Sequence, residues 1–316
     1  MVEQSDIPHI SVVIPVFGYE LDLDALYDRL SKTLIKINDN FEIIMINDKS
    51  PDNAWDVINR LAQNDQRVKG INLSKNFGQH QAVSAGLEYV RGTWCIVMDC
   101  DLQDQPEEII KLYNEAKKGY EIVMARRLLR KDSVIKRVTS RLFYILFNYL
   151  SDQKLDNRVA NFGIYSKKVI NEINKFRERD RSFGLLVNLV GFSKKIINVE
   201  HDQRRLGRSG YGFKKRLSMA GNHILSHSTK PLSIAIRIGA IITIISVLYA
   251  LYLIIKYIVY SSSVPGWTSL MVSLFFLSGV LITLLGVVGL YVGKIYNEVK
   301  KRPLYIIDSM TFEAGS

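Results

Sequence analysis

Two aspartates separated by one residue, Asp99 and Asp101, open the segment DCDLQDQP, which is the densest group of potentially reactive side chains in the sequence. Carboxylate oxygens are the ligands that hard divalent cations prefer, and such cations also bind phosphate oxygens. In a purely structural interpretation, the acids form a turn and Asp104 caps a helix that begins near Pro106. That interpretation explains one acid and leaves Asp99 and Asp101 together without a counterion, so metal binding is favoured.

The composition is that of a folded protein with a basic charge balance. The chain has 316 residues, 47% of them hydrophobic, and 42 Lys and Arg against 31 Asp and Glu, which gives +11. This excess indicates an anionic partner, whether phosphate, lipid headgroup or nucleic acid. Cys95 and Cys100 lie in and just after one predicted strand and lack the CxxC spacing, so a reducing compartment is expected. The first ten residues do not predict a cleaved signal peptide.

The elements that must position the aspartates are predicted from alternating apolar runs and amphipathic stretches, which indicate a mostly parallel sheet with covering helices. The predicted strands are Ile10–Val16, Phe41–Asn47, Val68–Leu73, Trp94–Asp99 and Glu121–Ala125. Helices are expected over Leu23 to Ile37 and Gln79 to Val90. Ligands of open α/β sheets bind outside the carboxyl ends of the strands, so residues 15–19, 47–50, 74–76 and 99–104 are expected to line a site.

The C-terminal third contains two long uncharged runs, Ile238 to Ile255 and Thr268 to Gly293. Each is close to the ~20 residues needed to cross a bilayer, so two transmembrane helices are predicted at about 234–258 and 268–293. Because Lys and Arg flank both ends of the pair, both termini are expected in the cytoplasm. The sequence thus predicts a catalytic domain over 1–230, two membrane helices within 231–295 and a cytoplasmic tail over 296–316.

Two further basic stretches each have two interpretations. Residues 133–149 have an amphipathic helical pattern that fits a membrane surface or the domain's own core equally well. The segment RRLGRSGYGFKKR, from Arg204 to Arg216, is either a functional loop leading into a helix or a solvated linker.

Several motifs occur together, in the order SVVIPVF, IMINDKSPD, LSKNFGQHQAVSAGLEYVRG, DCDLQDQPEEI and GLYVGKIYNEVKKRPLYII. With them the chain resembles the polyprenyl-phosphate glycosyltransferases of glycosyltransferase family 2, such as bactoprenol glucosyltransferases and dolichyl-phosphate mannose synthases. The similarity runs from about Ile10 to Asp308 and includes the two membrane helices. It implies a Rossmann-like GT-A fold of the α/β class in the cytoplasm, followed by the transmembrane hairpin.

The resemblance implies an enzyme that transfers one sugar with inversion from a nucleotide-diphospho-sugar to undecaprenyl or another polyprenyl phosphate, for modification of a cell-envelope glycan. A UDP-hexose is the favoured donor, although the base could be uracil, thymine or guanine. By position in the family motifs, Asp99 and Asp101 would hold Mg²⁺ or Mn²⁺, and Asp48 would face the nucleotide base. The other implied site residues are Pro15, Phe17, Asn76, Gln103, Arg126, Arg127 and Arg208, together with Arg204, Gly207, Ser209 and Tyr211 of a lid-like RxxGxSxY loop.

The sequence departs from the family pattern at positions that matter. Gly18 and Tyr19 replace polar residues, and Asn47 and Lys49 replace the first acid and the glycine of a DDGS turn. Most consequentially, Asn161 stands where a candidate catalytic base is an aspartate. A phosphate monoester acceptor is mostly dianionic at pH 7, so the reaction does not need that base. We therefore expect an active enzyme in which Asn161 has a role other than proton removal.

Two rival functions are compatible with part of the pattern. A processive polysaccharide synthase should carry a QxxRW motif, and none of Trp55, Trp94 or Trp267 lies in one. A catalytically inactive membrane protein that binds nucleotide sugar or serves as a scaffold is supported by Asn47 and Asn161. The expected location is the inner, plasma membrane as a multi-pass protein, with anionic lipid rather than nucleic acid as partner, and with the oligomeric state open, a homotetramer included.

Overall fold

The computed structural model describes residues 7–127, 149–150, 159–179, 181–200, 202, 221, 228–260 and 266–313. These residues divide into two compact units. The first contains the described residues up to 127, those from 159 to 202, and 302–313. The second contains 149–150, 221, 228–260 and 266–301. The predicted amphipathic stretch at 133–149, apart from its last residue, lies outside the described residues.

The first unit is built on an eight-stranded mixed sheet. Its strands are β1 (Ile10–Val16), β2 (Phe41–Asn47), β3 (Val68–Leu73), β4 (Trp94–Val97), β5 (Ile122–Arg127), β6 (Val159–Ser166), β7 (Lys194–Val199) and β8 (Ile307–Met310). Their spatial order is β7-β5-β6-β4-β1-β2-β3-β8. Strands β3, β2, β1 and β4 run parallel, whereas β6 and β8 are antiparallel to their neighbours.

Helices cover both faces of this sheet. They are α1 (Leu23–Ile35), α2 (Ala54–Asn64), α3 (Gln79–Glu88), α4 (Ile109–Ala116), α5 (Lys167–Lys175) and α6 (Phe183–Leu189), with short 3₁₀ helices at Glu20–Asp22 and Pro106–Glu108. Buried side chains of α1, α2 and α4 share one hydrophobic cluster with the sheet, and those of α3, α5 and α6 share the other. Because both faces are covered, β1 and β2 are buried at every residue, as parallel strands usually are.

The predicted elements of the first 125 residues are confirmed, with small shifts at their ends. Strands β1, β2 and β3 have the predicted bounds, while β4 ends at Val97, two residues early, and α3 ends at Glu88. The 3₁₀ helix at Pro106 has Gln105, not Asp104, at its N-cap, and no side chain caps it. Asp104 is instead buried, with 1% of its surface exposed.

The C-terminal residues, which the sequence assigned to a tail, form part of the first unit. Strand β8 pairs antiparallel with β3, so residues 307–310 close one edge of the sheet. Thr311 strengthens the edge, because its backbone N–H donates to the Gly70 carbonyl at 3.1 Å and its hydroxyl accepts from the Gly70 N–H at 2.8 Å. The chain therefore returns from its second unit to complete the domain in which it began.

Two long helices dominate the second unit, α7 (Lys230–Tyr260) and α8 (Trp267–Val299). They contain apolar windows long enough to cross a membrane, over Lys230–Tyr249 and Ser273–Val299. Large apolar side chains on both helices are exposed, including Ile245 at 60% and Phe275 at 73%. Since soluble proteins rarely expose such extended apolar surfaces, the two helices are suited to contact with lipid.

Candidate functional site

The parallel strands β3, β2, β1 and β4 bring four loops to one edge of the sheet. These loops, residues 17–22, 48–53, 74–78 and 98–105, follow the carboxyl ends of the strands, and we call them together the carboxyl edge. The strand order changes direction at β1, which lies between β2 and β4 although β2 and β3 precede β4 in the chain. Such a switch point is where open α/β sheets form their ligand crevice.

Asp99 and Asp101 lie in the carboxyl edge directly after β4, and both are half-buried. The Oδ1 atom of Asp99 accepts a hydrogen bond at 2.6 Å from the side-chain amide of Gln79, the first residue of α3. The Oδ1 atom of Asp101 accepts from the backbone N–H of Gln103 at 3.1 Å. Each aspartate is thus held by a neutral donor, which orients the carboxylate without cancelling its negative charge.

Directly after the two aspartates, the chain makes a sharp turn at Leu102. Leu102 has φ +55°, a left-handed conformation that costs a residue with a Cβ about 1–2 kcal/mol. Its side chain is 3% exposed in the core, and burial of a leucine contributes about 1.5–3 kcal/mol, so packing offsets the strain. The turn is further fixed by the Gln103 carbonyl, which accepts from the backbone N–H of Asp202 at 3.0 Å.

Cys100, the residue between the two aspartates, has a side chain that is 5% exposed and packs in the hydrophobic core. Burial raises the pKa of its thiol to about 12. Among the described residues no group of three or more His, Cys, Asp or Glu side chains could hold a metal ion. The carboxylate pair supplies hard oxygen atoms, and a divalent ion bound there would take its remaining ligands from water or from a phosphate group.

Asp48 holds the backbone of a neighbouring loop. It is 3% exposed, and its two carboxylate oxygens accept hydrogen bonds from the backbone N–H groups of Phe77 at 2.7 Å and Gly78 at 2.9 Å. Burial raises the pKa of Asp48, although the two N–H groups act in the opposite direction. That Asp48 faces the nucleotide base stays a prediction, whereas the two hydrogen bonds show that it fixes the loop that leads into α3.

The first two loops of the carboxyl edge are locked together. The Gly18 backbone N–H donates to Ser50 Oγ at 2.7 Å, and the Ser50 hydroxyl in turn donates to Asp52. Asp52 also accepts from the Glu20 N–H at 3.0 Å, and the Glu20 carboxylate accepts from the Asn53 N–H at 3.1 Å. Gly18 has φ +80°, which explains a glycine at a position where the family pattern has a polar residue.

Asn161 lies in β6, beside β4, and is half-buried. The antiparallel register ends where Val97 pairs with Gly163, so Asn161, two residues before Gly163, lies beyond the carboxyl end of β4. The Asn161 backbone carbonyl accepts from the Tyr165 hydroxyl at 3.5 Å. The side-chain amide therefore belongs to the same end of the sheet as the aspartate pair.

The remaining predicted residues differ in their surroundings. Phe17 is 47% exposed and Asn76 is exposed, both in loops of the carboxyl edge, whereas Pro15 and Gln103 are buried. Arg126 is half-buried near the end of β5. The predicted residues that lie outside the described part of the chain are Arg204, Gly207, Arg208, Ser209 and Tyr211, and the side chain of Arg127 is likewise not described.

Sequence reasoning missed the role of Gln79. The residue follows the NFG motif, begins α3 and donates to Asp99, so its place beside the aspartate depends on a contact across 20 residues. The signal available in the sequence was the position of Gln79 directly after the NFG motif, at the start of the predicted helix.

Comparison with known sequences places the chain in a family. Residues 11–174 match the family described as Glycosyl transferase family 2. An uncharacterized glycosyltransferase of Synechocystis is 36% identical over 302 residues, 95% of each chain. The SfII prophage-derived bactoprenol glucosyl transferase of Shigella flexneri is 36% identical over 299 residues, 94% of this chain and 97% of the relative.

A solved structure confirms the predicted fold. Glucosyl-3-phosphoglycerate synthase of Mycobacterium tuberculosis, crystallised with Mn²⁺, UDP and phosphoglyceric acid, superposes with a TM-score of 0.50 at 15% sequence identity. The similarity covers 69% of this chain and 76% of the synthase. At that identity the similarity concerns the fold, which is of the GT-A type, with a mostly parallel mixed sheet. Because the family match covers residues 11–174 and two relatives are 36% identical over at least 94% of this chain, the chain belongs to glycosyl transferase family 2.

Proposed function

We propose that the protein transfers a single hexose, with inversion, from a nucleotide-diphospho-sugar to undecaprenyl phosphate or a related polyprenyl phosphate. The observation that carries the proposal is the similarity over 94% of the chain to a protein named bactoprenol glucosyl transferase. That length includes both apolar helices, α7 and α8, as well as the aspartate pair of the carboxyl edge. A polyprenyl acceptor requires a membrane, and the helices are suited to one.

The donor is proposed to bind at the carboxyl edge. Two fixed loops would form the walls of a site for the base and ribose. One is held by the hydrogen bonds between Gly18, Ser50 and Asp52, and the other by Asp48. The exposed ring of Phe17 lies in the first of the four loops. UDP-glucose is the favoured donor, because the Shigella flexneri relative is a glucosyl transferase by name and the structurally similar synthase was crystallised with UDP.

Asp99 and Asp101 would hold Mg²⁺ or Mn²⁺. Their carboxylate oxygens are hard donors of the kind that these ions prefer. A pair of carboxylates with the remaining ligands supplied by substrate phosphates is a usual arrangement for Mg²⁺. When bound, the ion would supply positive charge against the departing diphosphate. Gln79 and the Gln103 N–H would keep the two carboxylates oriented.

The chain's own residues would then mainly position the reactants. A phosphate oxygen of the acceptor forms a bond to the anomeric carbon while the bond from that carbon to the diphosphate breaks, and no proton has to move. Asn161 would donate a hydrogen bond from its amide to the acceptor phosphate or the sugar. Arg126, with Arg127, Arg204 and Arg208, would stabilise the charge of the leaving group, since guanidinium groups match phosphate oxygens. Ser209 and Tyr211 would contribute to a lid over the diphosphate.

Both long helices are proposed to span the plasma membrane, with both termini in the cytoplasm. The basic residues at the two ends of the helix pair support this orientation. They are Lys230 and Arg237 in the first turns of α7, Lys294 near the end of α8, and Lys300, Lys301 and Arg302 after it. Strand β8 agrees with it, because residues 307–310 pair with the same sheet as the N-terminal strands. This pairing supports the proposal that the residues before and after the helix pair lie on one side of the membrane.

The test is to incubate the purified protein and undecaprenyl phosphate with a panel of nucleotide sugars and to identify the lipid product by mass. A polyprenyl phosphate carrying one hexose is expected with UDP-glucose. A product with several sugars would favour the processive synthase, and no product with any donor would favour an inactive binding protein.

The rival with a specific observation in its favour is the inactive protein, because Asn161 stands where a candidate base is usual. Divalent-metal-dependent release of the nucleoside diphosphate on addition of polyprenyl phosphate separates the two. An inactive protein would bind the nucleotide sugar and release nothing.

A further inference from the structure

A chain of buried side-chain amides connects the second loop of the carboxyl edge with the C-terminal strand. Asn47 of β2 pairs with Asn72 of β3, and Asn72 pairs in turn with Ser309 of β8, so the three residues lie side by side across the sheet. Asn47 is 3% exposed and Asn72 5%. Asn47 Nδ2 donates to Asn72 Oδ1 at 2.8 Å, and Asn72 Nδ2 donates to Asp308 Oδ2 at 3.1 Å, with Ser309 Oγ at 3.4 Å.

The direction of these hydrogen bonds is fixed at both ends. At one end, the backbone N–H of Ser50 can only donate, and it donates to Asn47 Oδ1 at 3.1 Å. At the other end, the ionised carboxylate of Asp308 can only accept. Each amide between them must therefore turn its oxygen towards Ser50 and its nitrogen towards Asp308. We call Asn47, Asn72 and Asp308 the amide relay.

An irregularity of β8 makes the relay possible. The register pairs Asn72 with Ser309 but Leu73 with Ile307, so Asp308 is an extra residue on β8. A bulge of this kind redirects a side chain, and here both Asp308 and Ser309 reach the same amide. Asp308 is exposed whereas the two amides are buried, so the charge of the relay lies where water solvates it.

One end of the amide relay is the turn at Ser50. Ser50, whose N–H is bound by Asn47, is also the residue that receives the Gly18 N–H and bonds Asp52. The carbonyl of Ile306, the residue before β8, accepts from the Ser74 N–H at 2.9 Å. Ser74 is the first residue of loop 74–78 of the carboxyl edge. The C-terminal residues therefore touch two of the four loops proposed to hold the donor, directly at Ser74 and through amides at Ser50.

We infer that Asp308 and Asn72 are positioning residues for the nucleotide-sugar donor, and that Asn47 is an asparagine here because the relay needs an amide that both accepts and donates. This rests on the proposed function. An acid at position 47 could accept from Ser50 but could not donate to Asn72. The amide of Asn72 would then have an acceptor on each side, so the side chain at position 47 would move away from Asn72 and the Ser50 turn that it holds would move with it.

The relay makes a specific reciprocal prediction in the full-length protein. Asn47→Asp should raise the donor KM about tenfold with little change in kcat, and Asp308→Asn alone should change it less than about threefold. In the double variant Asn47→Asp with Asp308→Asn the relay can run in reverse, because the amide at position 308 donates to Asn72 and Asn72 donates to position 47. Its KM should be at least threefold lower than that of Asn47→Asp. Asn64→Asp, at the exposed end of α2, is the control for an added charge.

Calorimetric binding of UDP in the presence of Mn²⁺, with the melting temperature of each variant, accompanies the kinetics. The relay would be overturned if the fold-change in donor KM of the double variant equalled the product of the changes in the two single variants. It would also be overturned if Asn47→Asp had the wild-type KM. If Asn47→Asp does not fold, the exposed pair Asp308→Ala with Ser309→Ala replaces it, and an unchanged UDP affinity there overturns the inference. A wild type that binds no UDP, GDP or dTDP contradicts the proposed function as well, whereas normal binding in every variant contradicts the relay alone.

Discussion

At the scale of single residues, the aspartate pair carries the largest proposed contribution. Asp101→Asn should abolish transfer and Asp99→Asn should reduce it severely, because each removes an anionic ligand from a metal that offsets charge on the leaving diphosphate. We expect a loss of more than ~10²-fold, as for other principal electrostatic stabilisers. Steady-state transfer by purified, folded variants measures it, with the exposed Asp28→Asn as the control. Near-normal turnover of either variant would remove the metal role.

Asn161 separates two accounts of catalysis. If the acceptor phosphate needs no base, the wild type is active, and Asn161→Asp should slow transfer because its carboxylate repels the incoming dianion. Like charges about 4 Å apart cost about 1 kcal/mol in water, so the rate should fall about fivefold or more. Transfer rates of both forms between pH 6 and 9 test this. An inactive wild type beside an active Asn161→Asp enzyme would show that a base is required.

Lys49 stands in a backbone conformation that favours glycine. Its φ of +52° costs about 1–2 kcal/mol, while a glycine there would gain freedom in the unfolded chain worth about 0.4–1 kcal/mol. Lys49→Gly should therefore raise the free energy of unfolding by about 0.5–1 kcal/mol. Lys49→Ala, which keeps the Cβ, is the matched control in denaturant titrations. Equal stability of the two variants would mean that the turn is not strained.

At the scale of elements, the sequence predicts what local pattern controls. Strands β1, β2 and β3 are short segments rich in apolar residues, each set between loop and helix patterns, and their bounds were predicted to the residue. Strand β8, IDSM, has no such pattern, and only its pairing with β3 makes it a strand. Asp48 was identified by its motif, yet its amide partners lie 29 and 30 residues away, and no local signal indicates them.

Strand β8 also changes how the domain should be dissected. Deleting residues 307–316 leaves the edge of β3 unpaired and removes the packing of Ile307, Met310 and Phe312. Lost hydrogen bonds and apolar burial should lower the free energy of unfolding by about 3 kcal/mol or more. Thermal unfolding of the first unit measures it, and deletion of 314–316 is the control because it leaves β8 intact. Truncation near residue 230 also removes β8, so loss of activity there would not by itself identify a role for the helices.

At the scale of the whole molecule, the two units have different proposed tasks. The first carries the carboxyl edge and the aspartate pair, and the second carries two helices with exposed apolar side chains. The composition predicted this division, because nearly all charged residues lie outside 238–293. The return of residues 302–313 to the first unit could not be predicted, since it depends on pairing between strands more than 230 residues apart.

The central claim is that one sugar passes to one lipid phosphate, and its most direct measurement is stoichiometric. Nucleoside diphosphate released and hexose bound to undecaprenyl phosphate are quantified together in a single reaction with purified full-length protein, UDP-glucose and Mn²⁺. Equal amounts of the two products are expected, with both absent in Asp101→Asn. Diphosphate release without glycosylated lipid, or several hexoses on each lipid phosphate, would contradict the proposed transfer.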